Sequence, residues 1–121
     1  SANPVSMKSS LDVLSTATGR TVAVMGDMYE LGDKENELHY NTGAHAAEIG
    51  IDVICCIGEL SHHAYEGAKA CAKSSAVLYL KLTLYLGKIR NVVKKDDTIL
   101  GKASHGMEFP EIIDVLRQMK F

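Results

Sequence analysis

Apolar and polar positions follow one another along this chain in blocks that predict helices and strands by turns. Pro4 opens a helical stretch in which Val5, Leu11, Val13 and Leu14 supply the apolar positions. Thr18-Gly19 ends it, so a first helix is predicted over Pro4 to Ala17. Thr21 to Met25 is short, mostly β-branched or apolar, and stops at Gly26-Asp27, the pattern of a strand buried on both faces. After a loop containing Gly32, the stretch from Glu35 to Ile49 sets Leu38, Ala46, Ala47 and Ile49 among polar residues, and Gly50 closes it as a helix. A second strand follows over Asp52 to Ile57. The alternation continues with a helix over Ser61 to Lys73, a strand over Ala76 to Leu80, a helix over Leu82 to Lys94, a strand over Thr98 to Leu100 and a last helix over Pro110 to Met119.

Four strands separated by helices imply right-handed βαβ crossovers. The predicted fold is therefore α/β: a Rossmann-like three-layer sandwich, its sheet mostly parallel, with helices on both faces. No composition shift, low-complexity tract or repeat divides the 121 residues, which is the length of one ordinary core, so residues 1–121 are expected to form a single domain.

Composition narrows the function classes. Hydrophobic residues make up 46% and charged residues 23%, values that suit a soluble, folded domain. The net charge is -2 with Lys and Arg scattered, so no footprint for a polyanion is present and nucleic acid is not an expected partner. No apolar run approaches the roughly 18 residues of a membrane span, and Ser1 to Met7 lack the regions of a signal peptide; a cytoplasmic protein without membrane association is expected. Three cysteines, with Cys55 and Cys56 adjacent in an apolar strand, read as reduced packing residues and not as a disulfide framework.

Ligands in open α/β sheets gather at the carboxyl ends of the strands. There the first strand runs into Gly26-Asp27-Met28-Tyr29-Glu30-Leu31-Gly32. Asp27 and Glu30 are suited to an amine or to ribose hydroxyls, and equally to a helix cap or a solvated loop. The second strand ends at Gly58-Glu59, with Ser61 as the expected N-cap of the helix that follows. The fourth leads into Gly101-Lys102-Ala103-Ser104-His105-Gly106-Met107, where Lys102 and His105 can hold phosphate or carboxylate and Ser104 can donate to a carboxylate. Nothing around Ser104 resembles a nucleophile elbow, and no catalytic residue is assigned to this domain. The sequence has neither a Walker-type loop nor Gly-x-Gly-x-x-Gly after a strand, so a phosphate cradle is not expected. Of the five histidines, His62 and His63 read as an exposed pair at a helix start and His39 as a packing or loop-bracing residue; no metal site is predicted.

Three stretches carry a family likeness. Ala2 to Met7 (ANPVSM), Val24 to Gly32 (VMGDMYELG) and Gly101 to Phe109 (GKASHGMEF) are similar to segments of the C-terminal domain of the Mur ligases, and the likeness spans essentially the whole chain. The second stretch most resembles the members that add D-alanyl-D-alanine. In the family His105 is often arginine, and Gly101 stands where a β-branched strand residue is usual.

The resemblance implies a three-domain ligase of peptidoglycan synthesis, of which this chain is the C-terminal domain, closing over ATP and presenting the amino component. It implies UDP-MurNAc-tripeptide and D-alanyl-D-alanine as partners, and ATP and Mg with phosphate and metal sites in the preceding central domain. Carried over by position, Asn3 and Ser6 would face the nucleotide, and Asp27, Glu30, Lys102, Ser104 and His105 the dipeptide. The isolated domain would be inactive. Apart from the resemblance, the residues alone leave open a free-standing small-ligand binding or regulatory α/β module, or a related ligase for another amino acid.

Overall fold

The computed structural model describes residues 3–81 and 85–103. The predicted last helix over Pro110 to Met119 lies outside them, as do Ser104 and His105. In chain order the described elements are α1 (Pro4–Ser15), β1 (Thr21–Gly26), a single 3-10 turn at Gly32–Lys34, α2 (Glu35–Glu48), β2 (Val53–Ile57), α3 (Ser61–Cys71), β3 (Ala76–Leu80), α4 (Tyr85–Val92) and β4 (Thr98–Lys102).

The strands form one parallel sheet in the order β3-β2-β1-β4. From β1 the chain steps outward twice, through α2 to β2 and through α3 to β3, then returns through α4 to add β4 on the other side of β1. Steps of one hand taken in opposite directions must put their helices on opposite faces. The core is divided accordingly. Met7, Leu11 and Leu14 of α1, Ala46 and Ala47 of α2, and Ala64 and Ala68 of α3 pack with Ala23, Met25, Ile54 and Cys56 on one face. On the other, Ile89 and Val93 meet Val22, Val24, Val53, Cys55, Ile57 and Leu80. All residues of β1 and β2 are buried, as the unbroken apolar runs predict.

Helices α2 and α3 lie unusually close. A methyl group added at Gly43 would overlap the carbonyl of Ala64, and one at Gly67 the carbonyl of Tyr40, so each glycine admits the other helix's backbone. This contact is made by small residues, and hydrophobic periodicity registers it weakly.

Two sequence expectations are corrected. The fourth strand does not end at Leu100: Gly101 and Lys102 continue it, paired with Val24 and Met25 of β1. A glycine reads as a strand stop by propensity, but the ladder of the central strand carries it along. Ser61 is not an N-cap but the first residue of α3, the cap position falling on Leu60. Among the described residues no helix is long and apolar enough to cross a membrane.

Candidate functional site at the carboxyl edge of the sheet

The strand order reverses between β1 and β4, so a crevice is expected beyond the carboxyl ends of those two strands. Register brings Met25 opposite Lys102. The loop opened by Asp27 and the residue that follows β4, Ala103, therefore leave the sheet side by side. Of the residues singled out in sequence, Asp27, Glu30 and Lys102 are brought to this one edge. Lys102 and Ala103 are half-buried there.

Asp27 is 5% exposed, and its Oδ1 accepts two hydrogen bonds of 2.7 Å from Ser61, one from the backbone N–H and one from Oγ. A carboxylate from the end of β1 thus caps α3, where charge and unpaired N–H groups suit each other. Ser61 is the first helical residue and donates to the cap instead of being one; the N-cap position belongs to Leu60, whose side chain makes no capping bond. Gly58 completes the arrangement. Its φ is +109°, and a Cβ there would fall 2.5 Å from Asp27 Oδ2, so only glycine leaves room for the carboxylate.

The next residue is held from another helix. The Met28 N–H donates to Nε2 of His39 at 2.9 Å, and His39 Nδ1 lies 2.6 Å from the Glu35 carbonyl. An Nε2 that accepts carries no proton, so the imidazole is neutral with its hydrogen on Nδ1, donating to Glu35. Met28 and His39 are each 1% exposed.

Beyond these fixed points the loop turns outward. Tyr29 and Glu30 are exposed, and Glu30 takes a left-handed φ of 61°, a conformation costing a non-glycine residue about 1 kcal/mol. Burial, and then the charge of Asp27, push the Tyr29 hydroxyl above its ordinary pKa. On β3, Tyr79 is pushed the same way by burial and then by Asp27, Glu59 and Cys56. Both hydroxyls are neutral donors at physiological pH. Tyr79 also packs edge-on against His62, 4.9 Å between centroids, with Tyr65 alongside. His62 and His63 are within 3.2 and 3.5 Å of Glu66.

Asn3 and Ser6 stand together at the start of α1. Asn3 Oδ1 accepts from the Ser6 N–H at 2.9 Å, and Ser6 Oγ accepts from the Asn3 N–H at 3.1 Å, a reciprocal capping box. The short connection 16–20 turns α1 back along β1. Twelve residues of helix span about 18 Å, close to the length of the strand, which returns Asn3 toward the carboxyl edge.

The cysteines lie in the core. Burial drives the Cys55 thiol up to about 12, against a smaller lowering by Arg20, and Cys56 is pushed up by burial and by Cys55. Both remain thiols and pack on opposite faces of β2. Among the described residues no three His, Cys, Asp or Glu side chains converge as metal ligands. The donor set described does not fit Mg or a triphosphate cradle.

Sequence reasoning missed the Asp27–Ser61 link and the role it gives Gly58. Nothing local marks a bond between residues 34 apart in sequence.

Comparison with known proteins extends the geometry. Residues 1–105 match the sequence family described as Mur ligase, glutamate ligase domain. The chain is similar to the UDP-N-acetylmuramoyl-tripeptide–D-alanyl-D-alanine ligase of Bacillus subtilis (strain 168), 35% identical over 115 residues that cover 93% of this chain and 25% of that protein. It is 29% identical to the ligase of the same name from Escherichia coli (strain K12) over 119 residues, covering 97% of this chain and 25% of that one. A crystal structure of MurF from Acinetobacter baumannii superposes with a TM-score of 0.82 at 28% identity, over 97% of this chain and 26% of the other. MurF ligase from Thermotoga maritima, solved in complex with ADP, shares the fold with a TM-score of 0.76 at 22% identity, over 97% and 26% of the two chains. The chain thus spans about a quarter of the length of the curated relatives it matches.

Proposed function

The chain belongs to the Mur ligase family, in its C-terminal, glutamate ligase domain, and from that premise we propose that it is the C-terminal domain of a cytoplasmic, three-domain ATP-dependent ligase. The ligase joins D-alanyl-D-alanine to UDP-MurNAc-tripeptide in peptidoglycan synthesis. The substrate assignment rests on the 35% identity to the Bacillus subtilis enzyme across 93% of the chain. The observation that supports the site is the reversal of strand order between β1 and β4, which sets the loop after β1 beside the end of β4 at Lys102.

In this reading ATP is a substrate that activates the tripeptide's terminal carboxylate as an acyl phosphate. Its phosphates and Mg are bound, in the same reading, by the preceding central domain. This chain contributes binding and orientation. Glu30, exposed at the loop tip, meets the dipeptide's ammonium group, and Asp27, committed through Oδ1 to Ser61, adds negative potential from behind it. Lys102, Ser104 and His105 meet the dipeptide's carboxylate. Asn3 and Ser6 sit at the junction with the upstream domains, on the nucleotide side. Holding the amine at the activated carboxyl is worth several kcal/mol of barrier without any group of this domain exchanging a proton.

The test uses the full-length ligase, following ADP release with UDP-MurNAc-tripeptide and a panel of amines. Turnover is expected with D-alanyl-D-alanine, and Ser104→Ala is expected to raise the KM for the dipeptide about tenfold with a smaller change in kcat. Turnover with another amine alone would discard the substrate. ATP hydrolysis by the pure domain would remove the division of labour.

A further inference from the structure

We propose that His39 is a positioning residue for the amino substrate: its neutral imidazole fixes, through the Met28 amide, where the tip of the β1–α2 loop stands. The inference rests on the reading of that loop as the dipeptide's ammonium site.

The argument begins with an accounting problem. The pairing of β1 with β2 ends at Gly26 and with β4 at Met25, so the Met28 N–H lies past both ladders, yet Met28 is 1% exposed. A buried N–H must find an acceptor. The one it has is Nε2 of His39, supplied by the second turn of α2.

That acceptor is itself fixed in orientation. Nδ1 donates to the Glu35 carbonyl at 2.6 Å one turn earlier on α2, and the ring is buried. Its tautomer and rotamer are therefore set from both nitrogens. Beside it Asp27 is tied to α3 through Ser61, so neighbouring loop residues are anchored to two different helices. These helices are locked to each other by the glycine crossing at Gly43 and Gly67. Glu30 lies two residues past the His39 anchor, exposed and in a left-handed conformation. A group that must meet an ammonium within hydrogen-bond distance gains from a rigid base, because small displacements at such a site are felt in binding.

His39 touches no substrate in this scheme. Two variants of the full-length enzyme test it. His39→Phe keeps an aromatic ring and removes both nitrogens, while His39→Gln returns an acceptor to the Met28 N–H. The readouts are amide hydrogen exchange over residues 27–32, melting temperature, and the KM values for D-alanyl-D-alanine and for ATP. His39→Phe is expected to speed exchange in the loop and to raise the dipeptide KM about tenfold while leaving the ATP KM within about twofold. His39→Gln is expected to bring the dipeptide KM back to within about threefold of wild type.

If His39→Phe folds with faster loop exchange and an unchanged dipeptide KM, the positioning role is overturned while the substrate reading stands. If both variants lose stability equally and raise both KM values together, His39 is a core residue only, and the proposal fails. Should His39→Phe fail to fold, His39→Gln decides alone: slow exchange with a near-normal dipeptide KM supports the acceptor role, and loose exchange or a large KM increase rejects it. A wild-type enzyme indifferent to D-alanyl-D-alanine overturns the underlying reading and this inference with it, a result visible before any variant is made.

Discussion

The two edges of the sheet use their polar residues in opposite ways. At the amino edge Arg20, Thr21, Asp52 and Asp97 are turned on one another or on nearby backbone. Thr21 and Asp52 exchange bonds, backbone N–H to side chain in both directions, at 2.8 and 3.0 Å. Arg20 reaches Asp97 at 2.7 Å and the Val92 carbonyl at 3.1 Å, while Asp97 also accepts from the Lys94 N–H. At the carboxyl edge the first residues of the β1–α2 loop are anchored with equal care, and the tip turns outward. Tyr29 and Glu30 face solvent, and Glu30 bears a left-handed backbone. Polar groups at one edge close the fold; at the other they hold up a loop tip that faces solvent.

Substitutions that separate stability from substrate binding test the contrast. The largest effect is expected at the amino edge. Asp97→Ala leaves Arg20 and the Lys94 N–H without their carboxylate, whose side chain is only 2% exposed. A loss of about 3 kcal/mol in urea unfolding is expected, with the dipeptide KM unchanged in molecules that remain folded. A raised KM would mean the amino edge is not purely structural.

Asp27 is where the comparison should break. Asp27→Ala removes the acceptor of both Ser61 bonds and leaves a buried helix end uncapped. The expected cost is about 2 kcal/mol together with an increased dipeptide KM, one residue serving both purposes. Equal melting curves for wild type and variant would show that the cap contributes nothing.

The smallest effect is expected at Glu30, with opposite signs for the two properties. Glu30→Gly relieves the left-handed strain and should stabilise the fold by up to about 1 kcal/mol while weakening dipeptide binding. If stability falls instead, Glu30 makes a structural bond that its exposure does not suggest. A stability gain accompanied by loss of affinity is the signature of a side chain kept for its ligand.

Most of the architecture was legible in the residues. VICCI at Val53–Ile57 is buried on both faces and reads so from its composition, and the alternation of apolar runs with longer amphipathic stretches gives βαβ units directly. Where the reading failed, a partner distant in sequence decided the outcome. Gly101 and Lys102 join β4 because Val24 and Met25 lie opposite them. Ser61 donates because Asp27 is close in space. The α2–α3 crossing is built from glycine and alanine, whose weak hydrophobicity hides how tightly they pack. For the candidate site, fold logic pointed to the carboxyl edge where Asp27, Glu30 and Lys102 are found, while composition alone left the kind of ligand open.

The strand order β3-β2-β1-β4 also bears on how the chain is made. β1 is a central strand, buried throughout, yet one of its two partners is the last strand described, Thr98 pairing with Thr21. During synthesis β1, β2 and β3 can zip together as each emerges, while the far edge of β1 waits for more than half the domain to leave the ribosome. That edge is short and largely apolar, the kind that recruits strands from other molecules. Vectorial synthesis therefore makes the arrival of Thr98–Lys102 the step that takes the nascent chain out of danger. A chain stopped ahead of Thr98 would leave one edge of the buried strand β1 open, ready to accept a neighbour in place of β4.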